Sequence, residues 1–200
     1  TFGTNPFKYG AAAGTDTHTG LSAAEENNFW GKLRSSEPSP DRWDHLFQKE
    51  KSYLRKDWTL AAAGRMGVWA TANTREAIWD AMKRRETYAT TGPRITLRFF
   101  GGYDFDAADA QADRIVLAGY SKGVPMGGDL NAARNGEAPT FMIAAMKDPI
   151  GANLDRVQII KGWVDSAGKT HEQIYNVAWS DPARRKLVGG KLTPVGETVD

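Results

Sequence analysis

The sequence predicts an α/β segment followed by an all-β one, with the change placed near Gly92. Three observations carry that prediction. Up to residue 92, short apolar runs alternate with stretches of helical periodicity. Beyond it, runs of β-formers follow one another with only turn residues between them. No internal repeat or low-complexity tract interrupts either half. Residues 1–92 therefore read as the tail end of an α/β domain. Residues 93–200 read as an antiparallel sandwich or barrel, and the sandwich is the form adopted as the expectation.

Taken in order, Tyr9 to His18 reads as a short buried strand of small residues that ends in a polar turn. Ser22-Ala23-Ala24-Glu25 has capping-box spacing and opens a helix to about Leu33. Ser35 to Asp41 is rich in Pro and Ser and forms a loop, and Asp41 to Lys51 suits another short helix. The run GRMGVWA is a second strand. Asn73 with Glu76 gives a second capping signal, after which Ala77, Ile78, Ala81 and Met82 share one helical face until basic residues favour the C-terminus. Two strand and helix pairs are too few to close a barrel or bury both faces of a parallel sheet, so the remainder has to come from elsewhere. After the TTGP run, strands are expected at RITLRFF, RIVLAGY, PTFMIAAM, RVQIIKGWV and QIYNVAW, with GVPMGGDLNAARNG and DSAG as turn-rich links.

Composition narrows the function classes. The 200 residues are 40% hydrophobic and 25% charged, an ordinary globular balance. The formal charge is +2, and the basic runs Lys83-Arg84-Arg85 and Arg184-Arg185-Lys186 are short and far apart, so no nucleic-acid partner is expected. Cysteine is absent, which excludes disulfides, thiolate metal sites and a cysteine nucleophile. It also leaves the compartment open, an extracytoplasmic one included. No apolar run approaches the roughly 18 residues of a membrane span, so no membrane partner is expected. The chain starts at Thr1 rather than Met, and the expectation is that a preceding segment has been removed.

The chemistry-bearing pattern is Asp16-Thr17-His18. Two positions apart on an extended chain means one face, so a carboxylate oxygen and an imidazole nitrogen converge on one place while Gly14 and Thr15 leave room. On the residues alone two readings stay open: metal ligands, or a turn or cap aspartate beside a surface histidine. Two ligands do not make a centre, and the other histidines, His45 and His171, have no partner at ligand spacing. Glu25 and Glu26 suit helix capping better than acid or base work. The run GYSKG matches the nucleophile pattern around Ser121, with His171 as base, but a nucleophile elbow needs a helix directly after the turn and VPMGGDL supplies Pro and Gly. A hairpin turn is therefore expected there. Asp104, Asp106, Asp109 and Asp113 lack the Gly and Glu of a calcium loop and read as a solvated acidic loop. The seven tryptophans read as core packing rather than a glycan-stacking surface.

The runs YGAAAGTDTHTG, EENNFWGK, GVWATANTREAIWDAMKRRETYATTGPRITLRFFGG, GVPMGGDL and APTFMIAAMKDPIGANLDRVQIIKGW together resemble the C-terminal part of a bacterial family of unknown function. That family is placed in the PHP (polymerase and histidinol phosphatase) superfamily of metal-dependent hydrolases and is similar to its carbaryl-hydrolase-like branch. The resemblance spans nearly the whole chain. It implies that residues 1–92 finish a distorted (β/α)7 barrel, that residues 93–200 form the β-sandwich after it, and that the family's last Asp-x-His motif maps onto Asp16 and His18 as catalytic metal ligands. The divalent ions, Zn, Mn or Fe, would be liganded mostly by residues outside this chain. The N-terminal portion of the same protein, as one chain or a separate one, becomes an expected partner. The implied activity is hydrolysis of a small-molecule ester or phosphoester by metal-activated water, with these 200 residues inactive alone. The alternative is a β-sandwich module that binds a glycan or a protein without catalysis.

Overall fold

The computed structural model describes residues 7–20, 31–49, 54–133 and 136–196. The chain divides into two compact units, Thr1–Met146 and Lys147–Asp200, so the expected change at Gly92 falls inside the first. The helix expected over Ser22 to Leu33 lies mostly outside the described residues, as do Glu25 and Glu26.

In the first unit a 3-10 turn at Arg34–Ser36 is closed by Ser36, whose hydroxyl donates to the Leu33 carbonyl at 2.9 Å and accepts from the Leu33 amide at 3.1 Å. The helix expected from Asp41 to Lys51 does not form. The Asp41 carboxylate accepts from the Ser39 hydroxyl (2.9 Å) and pairs with His45 (2.8 Å), which closes a turn instead of capping a helix. The chain leaves that turn as β1 (Leu46–Lys49), antiparallel to β2 (Leu54–Lys56). A second 3-10 turn, Asp57–Thr59, follows.

The GRMGVWA run is a strand as expected, β3 (Arg65–Val68), but its partner is β4 (Thr87–Thr90), paired antiparallel from Arg65↔Thr90 to Val68↔Thr87. Between them runs α1 (Arg75–Lys83), with Ala81 fully buried and Ala77, Ile78 and Met82 half-buried on the expected face. Its cap is Thr74, one residue past Asn73, because the Thr74 hydroxyl accepts from the Ala77 amide at 3.2 Å. At the far end Arg85 adopts a left-handed φ of 64° and the Glu86 amide returns to the Ala81 carbonyl at 3.0 Å. That reversal on the helix's own last turn leads straight into β4.

β5 (Thr96–Gly102) is the centre of a three-stranded antiparallel sheet, between β6 (Gly123–Pro125) and β7 (Thr140–Met146). The strand expected at RIVLAGY is a helix, α2 (Ile115–Lys122). Ile115, Ala118 and Gly119 are buried at helical spacing while Val116 and Leu117 are 39% and 76% exposed, a pattern that no strand would give. Phe100, Ile115, Ala118 and Met142 form the core, flanked by Phe105 and Ala144. Gly119 permits the close approach: a Cβ there would lie 2.6 Å from ring atoms of Phe100.

In the second unit β8 (Arg156–Val164) and β9 (Thr170–Trp179) make a long antiparallel hairpin. Asp165 closes its turn by accepting from the amides of Ala167 and Lys169, both at 2.9 Å. A small hairpin, β10 (Leu187–Val188) with β11 (Lys191–Leu192), turns on Gly189 and Gly190 at φ 56° and 77°. Arg185, buried at 5% exposure, ties this unit together. It donates to the carbonyls of Asp155 (2.8 Å), Ser180 (3.2 Å) and Thr193 (3.1 Å) and pairs with the Asp155 carboxylate.

Among the described residues every sheet is antiparallel, the two α-helices are short, and no closed barrel forms. The strand-rich antiparallel character expected of residues 93–200 is present. The parallel strand and helix alternation expected of residues 1–92 is replaced by antiparallel pairs. The sheet around β5 belongs to the first unit and the β8–β9 hairpin to the second.

Candidate functional site

The segment 7–20 pairs with no strand, so the buried strand expected from Tyr9 to His18 is corrected to an unpaired arm. The arm is fixed by side chains of the β4 edge. Thr87 Oγ1 donates to the Ala11 carbonyl at 2.7 Å, Arg85 Nη1 donates to the Lys8 carbonyl at 3.1 Å, and Lys8 pairs with Asp129 at 2.8 Å. The backbone of Gly14 passes so close to Gly64 that a Cβ at residue 64 has no room. Period-two alternation survives without a ladder. Ala13, Thr15, Thr17 and Thr19 are half-buried, whereas Ala12, Gly14, Asp16 and His18 are exposed.

Asp16 and His18 consequently share the outer face, and their side chains converge: His18 Nε2 lies 3.1 Å from Asp16 Oδ1. Asp16 sits at φ 55°, a left-handed conformation that aspartate tolerates better than most residues. Behind them Thr17 Oγ1 donates to Thr15 Oγ1 at 3.0 Å, holding the inner face. The His18 amide donates to the carbonyls of Gly31 and Lys32, both at 3.1 Å. This brings Lys32 beside the pair, and its ammonium binds Asp16 Oδ2. Lys32 has no signal in the sequence, because only the tertiary approach of residues 31 and 32 to residue 18 places it there.

The donor set fits two positions of a divalent centre. Oxygen and nitrogen ligands held about 2.0–2.2 Å from one ion stand about 3.0–3.4 Å apart, which the 3.1 Å separation matches. With side chains 67% and 53% exposed, Asp16 and His18 are open to further ligands. Among the described residues no third His, Asp or Glu joins them in a metal-sized group.

The other candidates take different roles. Ser121 lies in the last turn of α2, which β6 follows, so the order is helix then strand, the reverse of a nucleophile elbow. Its hydroxyl donates to the Ala118 carbonyl at 3.4 Å, and the hairpin turn expected at GYSKG is instead the C-terminal turn of the helix. His171, on β9, pairs with Asp165 at 2.7 Å and stacks on Trp163 with ring centroids 5.1 Å apart. The hydrogen bond from His171 holds the Asp165 carboxyl below the usual carboxylate range. In the acidic loop Asp109 is buried rather than solvated: Lys122 Nζ donates to both of its oxygens, at 2.9 and 2.7 Å, and lowers its pKa. His45, unpartnered by sequence spacing, stands between Asp41 and the buried Asp57, whose Oδ2 is 3.9 Å from His45 Nδ1. The tryptophans also depart from expectation, since Trp43, Trp58, Trp79 and Trp163 are 41 to 69% exposed.

A family model described as "Protein of unknown function (DUF3604)" matches residues 1–200. No curated protein matches the chain. No solved structure matches it either.

Proposed function

The chain belongs to the DUF3604 family, and on that premise we propose that it contributes Asp16 and His18 to a divalent-metal centre that hydrolyses an ester or phosphoester. The observation that carries this reading is the convergence of Asp16 Oδ1 and His18 Nε2 at 3.1 Å on an exposed face. The resemblance of the TDTH run to the closing motif of PHP-type hydrolases supports it, and with it the finer reading that the first part of the chain completes such a barrel and the strand-rich remainder follows as a sandwich. When bound, Zn, Mn or Fe would supply a hydrolytic nucleophile at neutral pH and offset charge on the attacked group. Lys32, holding Oδ2, leaves Oδ1 turned toward His18. The His18 amide bonds and the Thr15–Thr17 contact fix the spacing of the two donors from behind. The remaining ligands belong to the N-terminal portion of the protein, and these residues alone are inactive.

Metal analysis of the full-length protein and of an Asp16→Ala, His18→Ala double variant tests this, with a panel of aryl esters and phosphoesters as substrates. Loss of true ligands weakens metal binding beyond the roughly 10–100-fold typical of outer-shell changes, and hydrolysis falls with it. Unchanged metal content in the double variant removes these residues from the centre. The second reading, a non-catalytic binding module, rests on the outward apolar side chains of the β8–β9 hairpin, Trp163 and Ile160 among them. It requires ligand binding that is indifferent to that double variant.

A further inference from the structure

A cavity of about 420 Å³ in the first unit is lined by Trp69, Arg84, Glu86, Arg98, Tyr120 and Pro125 among others. Six elements supply them: the ends of β3 and β4, strands β5 and β6, the C-terminal cap of α1, and α2. Glu86 is buried at 3% exposure. Its Oε1 accepts from the Tyr120 hydroxyl and its Oε2 from Arg84 Nη2 at 3.4 Å. Burial, and then the Glu86 carboxylate, push the Tyr120 phenol up, so it stays a protonated donor at neutral pH.

Arg98 completes the wall. Its Nη1 donates to the Tyr120 oxygen at 3.2 Å, and its guanidinium lies 3.5 Å from the Trp69 ring centroid. The Trp69 indole is itself anchored on the Leu97 carbonyl at 2.9 Å. Glu86 is neutralised by Arg84 and satisfied by Tyr120, and no carboxylate among the described residues lies within ion-pair reach of Arg98. The cavity thus holds two guanidinium groups against one carboxylate, leaving one positive charge beside aromatic and proline walls. A guanidinium has five N–H donors, and one of those on Arg98 goes to Tyr120. The planar edge left over matches a bidentate oxyanion, and Trp69, Tyr120 and Pro125 offer apolar surface for the body behind it. A volume of about 420 Å³ lies in the range of small-molecule sites.

We propose that this cavity binds a small organic oxyanion, a carboxylate or phosphate head on an apolar body, with Arg98 as the head-group ligand and Trp69 as the platform that orients it. The site shares no residue with the Asp16–His18 pair, so each reading stands or falls separately. Calorimetric titration with benzoate, phenyl phosphate and neutral benzamide, with the Trp69 indole N–H resonance locating the ligand, provides the test. At low salt one or both anions bind saturably and shift that resonance, and benzamide binds at least about tenfold more weakly. Preference between the two anions identifies the head group. Arg98→Gln weakens the anion at least about tenfold. Glu86→Gln, which keeps an acceptor for Tyr120 and removes a negative charge, tightens it severalfold; a merely structural Glu86 would not. The proposal is overturned if neither anion binds, if benzamide binds as tightly, or if Glu86→Gln leaves the affinity unchanged or lower.

Discussion

His45 shows how a single imidazole gains pH sensitivity from its neighbours. The Asp41 carboxylate 2.8 Å away raises the His45 pKa above the ordinary value of about 6.5. Asp41 is lowered in turn, first by the Ser39 hydroxyl that donates to it. The histidine's stabilising effect is therefore fully present below about pH 6.5 and is lost as pH rises through the raised folded value. For Asp41 the effect is present above about pH 3.9 and is lost as pH falls through the lowered folded value. NMR titration of the His45 ring should give a midpoint above 6.5 that drops back in Asp41→Asn. A midpoint at or below 6.5 in the unsubstituted protein would show that the pair does not persist in solution. Asp41 and His45 are four apart, so the expected helix would also have set them side by side; the structure joins them through a turn instead.

At the level of elements, legibility tracked how local each determinant is. The stripe of Ala77, Ile78, Ala81 and Met82 is written at helical spacing and forms α1, with the cap displaced by one residue. RIVLAGY reads as a strand because Ile115 and Val116 are β-formers; it becomes α2 because Ala118 and Gly119 let the helix settle on Phe100, a contact made only in three dimensions. The face shared by Asp16 and His18 was legible from their spacing of two, although Asp16 itself takes a left-handed φ; Lys32 was not. Gly119 also sets opposing effects against each other. Alanine in a helix gains about 1 kcal/mol over glycine from propensity. Here its Cβ would meet Phe100, itself 1% exposed and unable to retreat, and overpacking costs about 1–3 kcal/mol. Gly119→Ala should therefore give no gain, and a loss of up to about 2 kcal/mol, in urea unfolding. An increase would mean that α2 can slide away from β5.

For the molecule as a whole, the consequence of the Asp16–His18 geometry lies in what holds the arm. Few hydrogen bonds bind segment 7–20 to the β4 edge, and its outward carboxylate and imidazole are more than half exposed. If the proposed centre takes further ligands from outside the arm, an ion gripped by both donors would tie the arm to them and so couple metal binding to stability. Binding to the folded state alone, at about a hundred times its dissociation constant, adds about 2.7 kcal/mol. Full-length protein titrated with Mn or Zn should accordingly show a rising melting temperature, and the Asp16→Ala, His18→Ala variant should lose most of that rise. Arg185→Met separates this from general fragility. It removes the buried clamp on Asp155, Ser180 and Thr193 and should cost about 1–3 kcal/mol, while leaving the metal-dependent increment in place. A double variant that is stabilised by metal as much as the unsubstituted protein would put the centre elsewhere, and the convergence of the two side chains would then be no more than an exposed ion pair extended by Lys32.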